Sequence, residues 1–144
     1  MEIQFSDLTT NDIAYVVYKN NESMYVIEQV EVLENKMRSV KIPLFNIYDE
    51  DNVRYEDRKY IKIKFHNITY SRYYDDYYNI RGHILISSPD NYEQGPSLDV
   101  FPTMELAKNF LIDYCNSLIK YSNSIITKEQ NMINLYKQSI DNIL

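Results

Sequence analysis

Near Thr103 the spacing of apolar residues in this chain changes from two to seven, and that change limits the fold more than any other feature. Before it, Ile61-Lys62-Ile63-Lys64-Phe65-His66 alternates cleanly, with Ile61, Ile63 and Phe65 on one face and Lys62, Lys64 and His66 on the other, as a half-buried strand requires. Ile13-Ala14-Tyr15-Val16-Val17-Tyr18 is β-branched and aromatic, Asn20-Asn21 supplies a turn, and Met24-Tyr25-Val26-Ile27 resumes the pattern, which predicts a hairpin. The second strand extends through Val30 and Val32 to Leu33, where Asn35-Lys36 is expected to end it. Val40 to Ile47 reads as a third apolar segment, with Pro43 marking an edge or bulge, and Asp49-Glu50-Asp51-Asn52 as a loop. Ile80 to Ser88, around Ile84-Leu85-Ile86, reads as another strand, followed by a loop rich in Pro, Asn and Gly.

After the switch the reading is helical. Leu111, Leu118, Ile125 and Met132 recur every seven residues, with Ala107, Tyr114, Tyr121 and Leu135 on an adjacent line, and Pro102-Thr103 offers a cap. Unbroken, such a helix runs roughly 60 Å at 1.5 Å per residue, longer than a small barrel. Ser122-Asn123-Ser124 has weak helix propensity and Thr127-Lys128-Glu129-Gln130 fits a capping box, so a helical hairpin is the preferred expectation. A single long helix is the alternative, and it favours a homodimer. The fold class is therefore α+β: a small antiparallel β-sheet or partly open barrel over about residues 10–100, then a C-terminal helix or helical hairpin over about 103–143, in one domain spanning 1–144.

Composition excludes more than it identifies. With only Gly82 and Gly95, the chain lacks the glycines that a P-loop or a dinucleotide fingerprint needs for positive φ and close backbone approach. A single cysteine, Cys115, makes no internal disulfide and sits in the apolar helical pattern as core filler, which suggests a reducing, cytoplasmic setting. No run is apolar enough to predict a membrane span, and Met1 to Asp7 lacks the pattern of a signal peptide. The formal charge of −6 predicts no binding to duplex DNA, because phosphate affinity rests on clustered Lys and Arg. Charge is also blocked along the chain: residues 1–34 hold seven acids and one base, 35–72 nine bases and five acids, 73–105 six acids and one base.

The candidate site is the run Ser71-Arg72-Tyr73-Tyr74-Asp75-Asp76-Tyr77-Tyr78-Asn79. Tyrosine brings a large, fairly rigid apolar area with a polar tip, which suits it to protein contacts. Tyr73, Tyr74, Tyr77 and Tyr78 with Asp75 and Asp76 are expected to meet a protein partner with a basic surface, one ring of each tyrosine pair pointing outward.

The other constellations have simpler explanations. His66 and His83, with Asp75 and Asp76 between them, have no distinctive metal-ligand spacing, so no metal and no cofactor is expected. No pattern singles out a catalytic residue, which points to a non-enzymatic protein. Arg58, Lys59, Lys62, Lys64 and Arg72 interleave with Tyr60, Phe65, Tyr70 and Tyr73 as in a single-stranded nucleic-acid module, yet lysines on a sheet's solvent face also guard its edges.

Asp12-Ile13-Ala14-Tyr15-Val16-Val17-Tyr18, as a first barrel strand, and Val100-Phe101-Pro102-Thr103-Met104-Glu105-Leu106-Ala107-Lys108, as a strand-to-helix junction, resemble the small accessory proteins of phages and mobile elements that join an SH3-like β-barrel to a C-terminal helix. That group includes anti-defence proteins such as anti-CRISPRs. The resemblance implies an inhibitor that occupies the surface of a host nucleic-acid-handling machine, in the host cytoplasm. The rival expectation is an assembly protein that homo-oligomerises through its C-terminal helix.

Overall fold

A computed structural model of the chain describes residues 3–43 and 53–143. The elements are β1 (Ile13–Lys19), β2 (Tyr25–Pro43), β3 (Val53–Phe65), β4 (Ile68–Tyr74), α1 (Asp76–Arg81), β5 (Ile84–Ile86), β6 (Leu98–Phe101) and α2 (Met104–Ile143). The strands pair antiparallel in the order β4-β3-β2-β1-β6-β5. The sheet curls until its edges β4 and β5 meet, where Arg72 donates to the Leu85 carbonyl, so the barrel is nearly closed. By its internal contacts the chain divides into two compact units, Met1–Lys108 and Asn109–Leu144.

Local chemistry explains the turns. His66 and Asn67 both have positive φ, 49° and 66°, as the two-residue hairpin between β3 and β4 needs for its strands to follow the sheet's twist. Between β1 and β2, the Asn20 side chain accepts from the amides of Glu22 and Met24 and closes the loop. The alternation of β3 holds as expected: Ile61, Ile63 and Phe65 are fully buried. They join Val16, Val30, Val32, Tyr70, Ile84, Leu98 and Val100 in one core. Gly95 lies so close to the Tyr70 hydroxyl that a Cβ there would overlap it, while Tyr70 donates to the Pro96 carbonyl at 3.0 Å.

Four sequence expectations are corrected. Asn35-Lys36 does not end a strand: β2 runs unbroken for 19 residues, with a bulge between Val32 and Glu34. The Asn35 side chain explains this, donating to the carbonyls of Phe5 (2.6 Å) and Leu8 (2.9 Å) and accepting from the Tyr74 hydroxyl (2.6 Å). It clamps a short 3-10 turn, Phe5–Asp7, whose Phe5 ring is wholly buried in the barrel core. Residues 40–43 of the expected third segment are the end of β2, and its remainder, with the Asp49–Asn52 loop, lies outside the described residues. The expected strand from Ile80 to Ser88 shrinks to Ile84–Ile86, because Ile80 and Arg81 belong to α1, whose C-terminus is Gly82 at φ 70°.

The fourth correction concerns the helix. There is no hairpin; α2 is one continuous helix of 40 residues through Ser122-Asn123-Ser124. Its start matches expectation, with Thr103 Oγ1 accepting from the Leu106 amide at 3.3 Å.

Candidate functional site

The structure splits the tyrosine run between two elements. Tyr73 and Tyr74 close β4, Asp75 is the N-cap of α1, and Asp76, Tyr77 and Tyr78 open that helix. β4 points Tyr74 inward, 5% exposed, and Tyr73 outward, 38% exposed. Tyr73 packs on Tyr60 with ring centroids 5.1 Å apart, and Arg38 stacks over Tyr60 at 3.6 Å while pairing with Glu34 at 2.7 Å. Tyr78 is half-buried against the core beneath Arg72, which donates to its hydroxyl at 3.0 Å. Only Tyr77 is broadly open, at 63%.

The two aspartates differ in kind. Asp75 Oδ1 accepts from the amides of Tyr77 (3.0 Å) and Tyr78 (3.4 Å), satisfying the exposed start of α1. Asp76 is solvated and paired with Lys59 of β3. So the residues read as one contact surface serve three ends: core (Tyr74), local frame (Tyr73, Asp75, Tyr78) and exposed surface (Asp76, Tyr77). Beside them lies an open cleft of about 490 Å³ between Met37, Asp57 and Lys59 of the β2–β3 ribbon and Tyr74 and Asp76. Asp75→Ala is expected to cost about 1 kcal/mol of stability through the lost cap, whereas Tyr77→Ala should stay within about 0.5 kcal/mol of wild type in urea denaturation. Equal losses would place Tyr77 in the frame as well.

Burial raises the pKa of both Tyr70 and Tyr74, and the Asp76 charge adds to the rise at Tyr74. A raised value means that the folded state keeps its phenolic proton after the unfolded chain has released its own. The stability these groups contribute is therefore complete below the ordinary tyrosine pKa of about 10 and is lost as pH climbs through the folded values. The melting temperature should fall steeply above about pH 10, and less steeply in Tyr70→Phe. An identical alkaline profile in that variant would remove Tyr70 as the cause.

The histidines lie apart in role. His66, in the β3–β4 turn rather than on the strand's solvent face, pairs with Glu28 at 2.6 Å and stacks on Phe65. His83 is mostly buried, stacked on Phe101 at 4.8 Å and 2.5 Å from Asp99. Among the described residues no group of three His, Cys, Asp or Glu side chains is placed to hold a metal ion. Tyr70 faces the core, so it is missing from the platform of bases and aromatics that the sequence suggested, as are Tyr60 and Phe65, both buried.

Among the described residues, many of the exposed large apolar side chains lie elsewhere, on α2. Every described residue of α2 from Asn116 onward is exposed, yet Leu118, Ile125 and Met132 lie there together with Ile119, Ile126 and Ile133, and Ile126 is 65% open. The sequence reading found the first line and missed the second, Ile112, Ile119, Ile126, Ile133 and Ile140, which repeats every seven residues one position later. Counting the heptad in every phase would have found it. No helix among the described residues is long and apolar enough to cross a membrane. The chain matches no family model, no curated protein and no solved structure.

Proposed function

We propose that this protein is a non-enzymatic assembly protein that associates with further copies of itself through the apolar face of α2. One observation carries the reading: 28 consecutive helical residues, 116–143, are all exposed while large apolar side chains recur among them at heptad spacing. Isolated helices are marginal in water and draw most of their stability from a packed face. This one is rich in poor helix formers, with Asn116, Ser117, Ser122, Asn123, Ser124 and Thr127 between residues 116 and 127, so its own propensity does not sustain it. Size-exclusion chromatography with light scattering at tens of micromolar should give at least twice the chain mass; the mass of one chain would overturn the reading.

A second reading, an inhibitor that occupies a basic partner such as a nucleic-acid-handling host machine, is favoured by Tyr77 and Asp76, both open beside the cleft. It predicts that Tyr77→Ala weakens capture of such a partner by about tenfold or more without lowering the melting temperature, as truncation of an interface anchor does. Unchanged capture by that variant would end it.

A further inference from the structure

Resting on the reading of α2 as an association surface, we infer that two copies of the helix pair antiparallel, face to face, about a centre between Ile125 and Ile126. Two apolar ladders run along the helix, Leu111-Leu118-Ile125-Met132 and Ile112-Ile119-Ile126-Ile133-Ile140. Between them, about 40° from the first and about 60° from the second at 3.6 residues per turn, runs a third line, Cys115-Ser122-Glu129-Tyr136. A strict seven-residue repeat held for about 45 Å fits a helix of the same pitch, because only a partner with that period keeps the seam in contact along its length.

The partner that fits is a copy of this chain. Residues 109–143 carry three acids (Asp113, Glu129, Asp141) and three bases (Lys120, Lys128, Lys137), so this segment of a chain of net charge −6 does not repel itself. In an antiparallel pair, like lines face each other. Ile126 then meets the partner's Ile126, Ile119 the partner's Ile133, Leu118 the partner's Met132, and Ile125 the partner's Ile125. About nine apolar side chains per copy, each losing on the order of 75 Å², remove roughly 1,400 Å² from water, within the range of stable interfaces.

The middle line decides the direction. Antiparallel, small meets large at every step: Ser122 faces the partner's Glu129, and Cys115 faces the partner's Tyr136, each twice by symmetry. The Ser122 hydroxyl is then placed to donate to the partner's Glu129 carboxylate. Parallel, every residue of this line meets itself. Glu129 would lie against the partner's Glu129 and Tyr136 against the partner's Tyr136, while Cys115 and Ser122 would leave gaps that a close-packed interface does not tolerate. Like charges brought together in a dry seam oppose that order further.

Cys115, the only cysteine, reports the direction. Antiparallel, the two Cys115 positions lie about 32 Å apart along the pair, 10.5 residues either side of the centre, beyond any disulfide. Oxidation of the wild-type protein should therefore give no linked dimer on a non-reducing gel. Tyr136→Cys, at a position exposed in the single chain, should link most of the protein into a dimer that thiol reduces. Nitroxide labels on the native Cys115 give a second measurement without substitution, expected near 30 Å by pulsed electron resonance. A single-chain mass in light scattering would remove the association itself. A dimer mass with a Cys115 disulfide in the wild type, with labels closer than about 20 Å, or with an unlinked Tyr136→Cys protein, leaves association standing and overturns the antiparallel order.

Discussion

Asn35→Leu is expected to lower the unfolding free energy by about 3–5 kcal/mol, the largest stability loss predicted for a single polar residue in this fold. Its amide holds three partners at once: the carbonyls of Phe5 and Leu8 and the hydroxyl of Tyr74. Tyr74 is 5% exposed and Phe5 is wholly buried. Leucine matches asparagine in size but leaves all three groups without a bond in a site that water does not reach freely, and each such group costs about 1–3 kcal/mol. The Phe5 ring also depends on this clamp, because the 3-10 turn that carries it is tied to β2 through Asn35. Phe5→Ala should itself cost about 3–5 kcal/mol by the usual cavity argument. Tyr74→Phe removes one hydroxyl and leaves one acceptor on Asn35, so it should cost only about 1 kcal/mol. Urea denaturation of the three variants, with the slope unchanged, measures these differences. An Asn35→Leu protein within about 1 kcal/mol of wild type would show that the clamp is not a stabilising contact.

The same residue shows where sequence reading stops. Asparagine is a strand breaker by propensity, and nothing near Asn35 says otherwise, because its partners Phe5 and Leu8 lie 30 and 27 residues away. Long-range satisfaction of a polar side chain overrode the local signal. Where the signal was itself the packing pattern, as at Ile61, Ile63 and Phe65, the reading held, since period-two burial is the same fact seen in sequence and in structure. Thr103 held too, because a cap is a contact between residues three apart. The tyrosine run was legible as unusual but not as divided. Which ring of Tyr73-Tyr74 faces inward depends on the register of β4 against β3, where Tyr74 lies opposite Lys59 and Tyr73 opposite Tyr60. That Asp75 begins a helix depends on the chain turning there. Ser122-Asn123-Ser124 suggests a break by its weak helix propensity alone, yet the second ladder of isoleucines runs straight through it and the helix continues.

That ladder yields the second large effect. Replacing Ile119 and Ile126 together by Asp should weaken self-association by about 100-fold or more and return the protein to single chains at micromolar concentration. In the antiparallel pair the substitutions place four carboxylates in the seam: at 126 against the partner's 126, and at 119 beside the partner's Ile133. Desolvating them costs several kcal/mol in total. The consequence extends to folding. With Asn, Ser and Ile so frequent between 116 and 143, the helix has little stability of its own, so circular dichroism should lose helical signal in the double variant. In the wild type, helicity and mass should fall together on dilution, as mass action requires when only the folded helix associates. The β-unit is a separate compact body with its own core, so its melting transition should stay where it is. Ile112→Asp alone, near the end of the ladder, should act in the same direction but more weakly. If the double variant keeps the oligomeric mass and the full helical signal, α2 is not the surface through which copies of this protein meet.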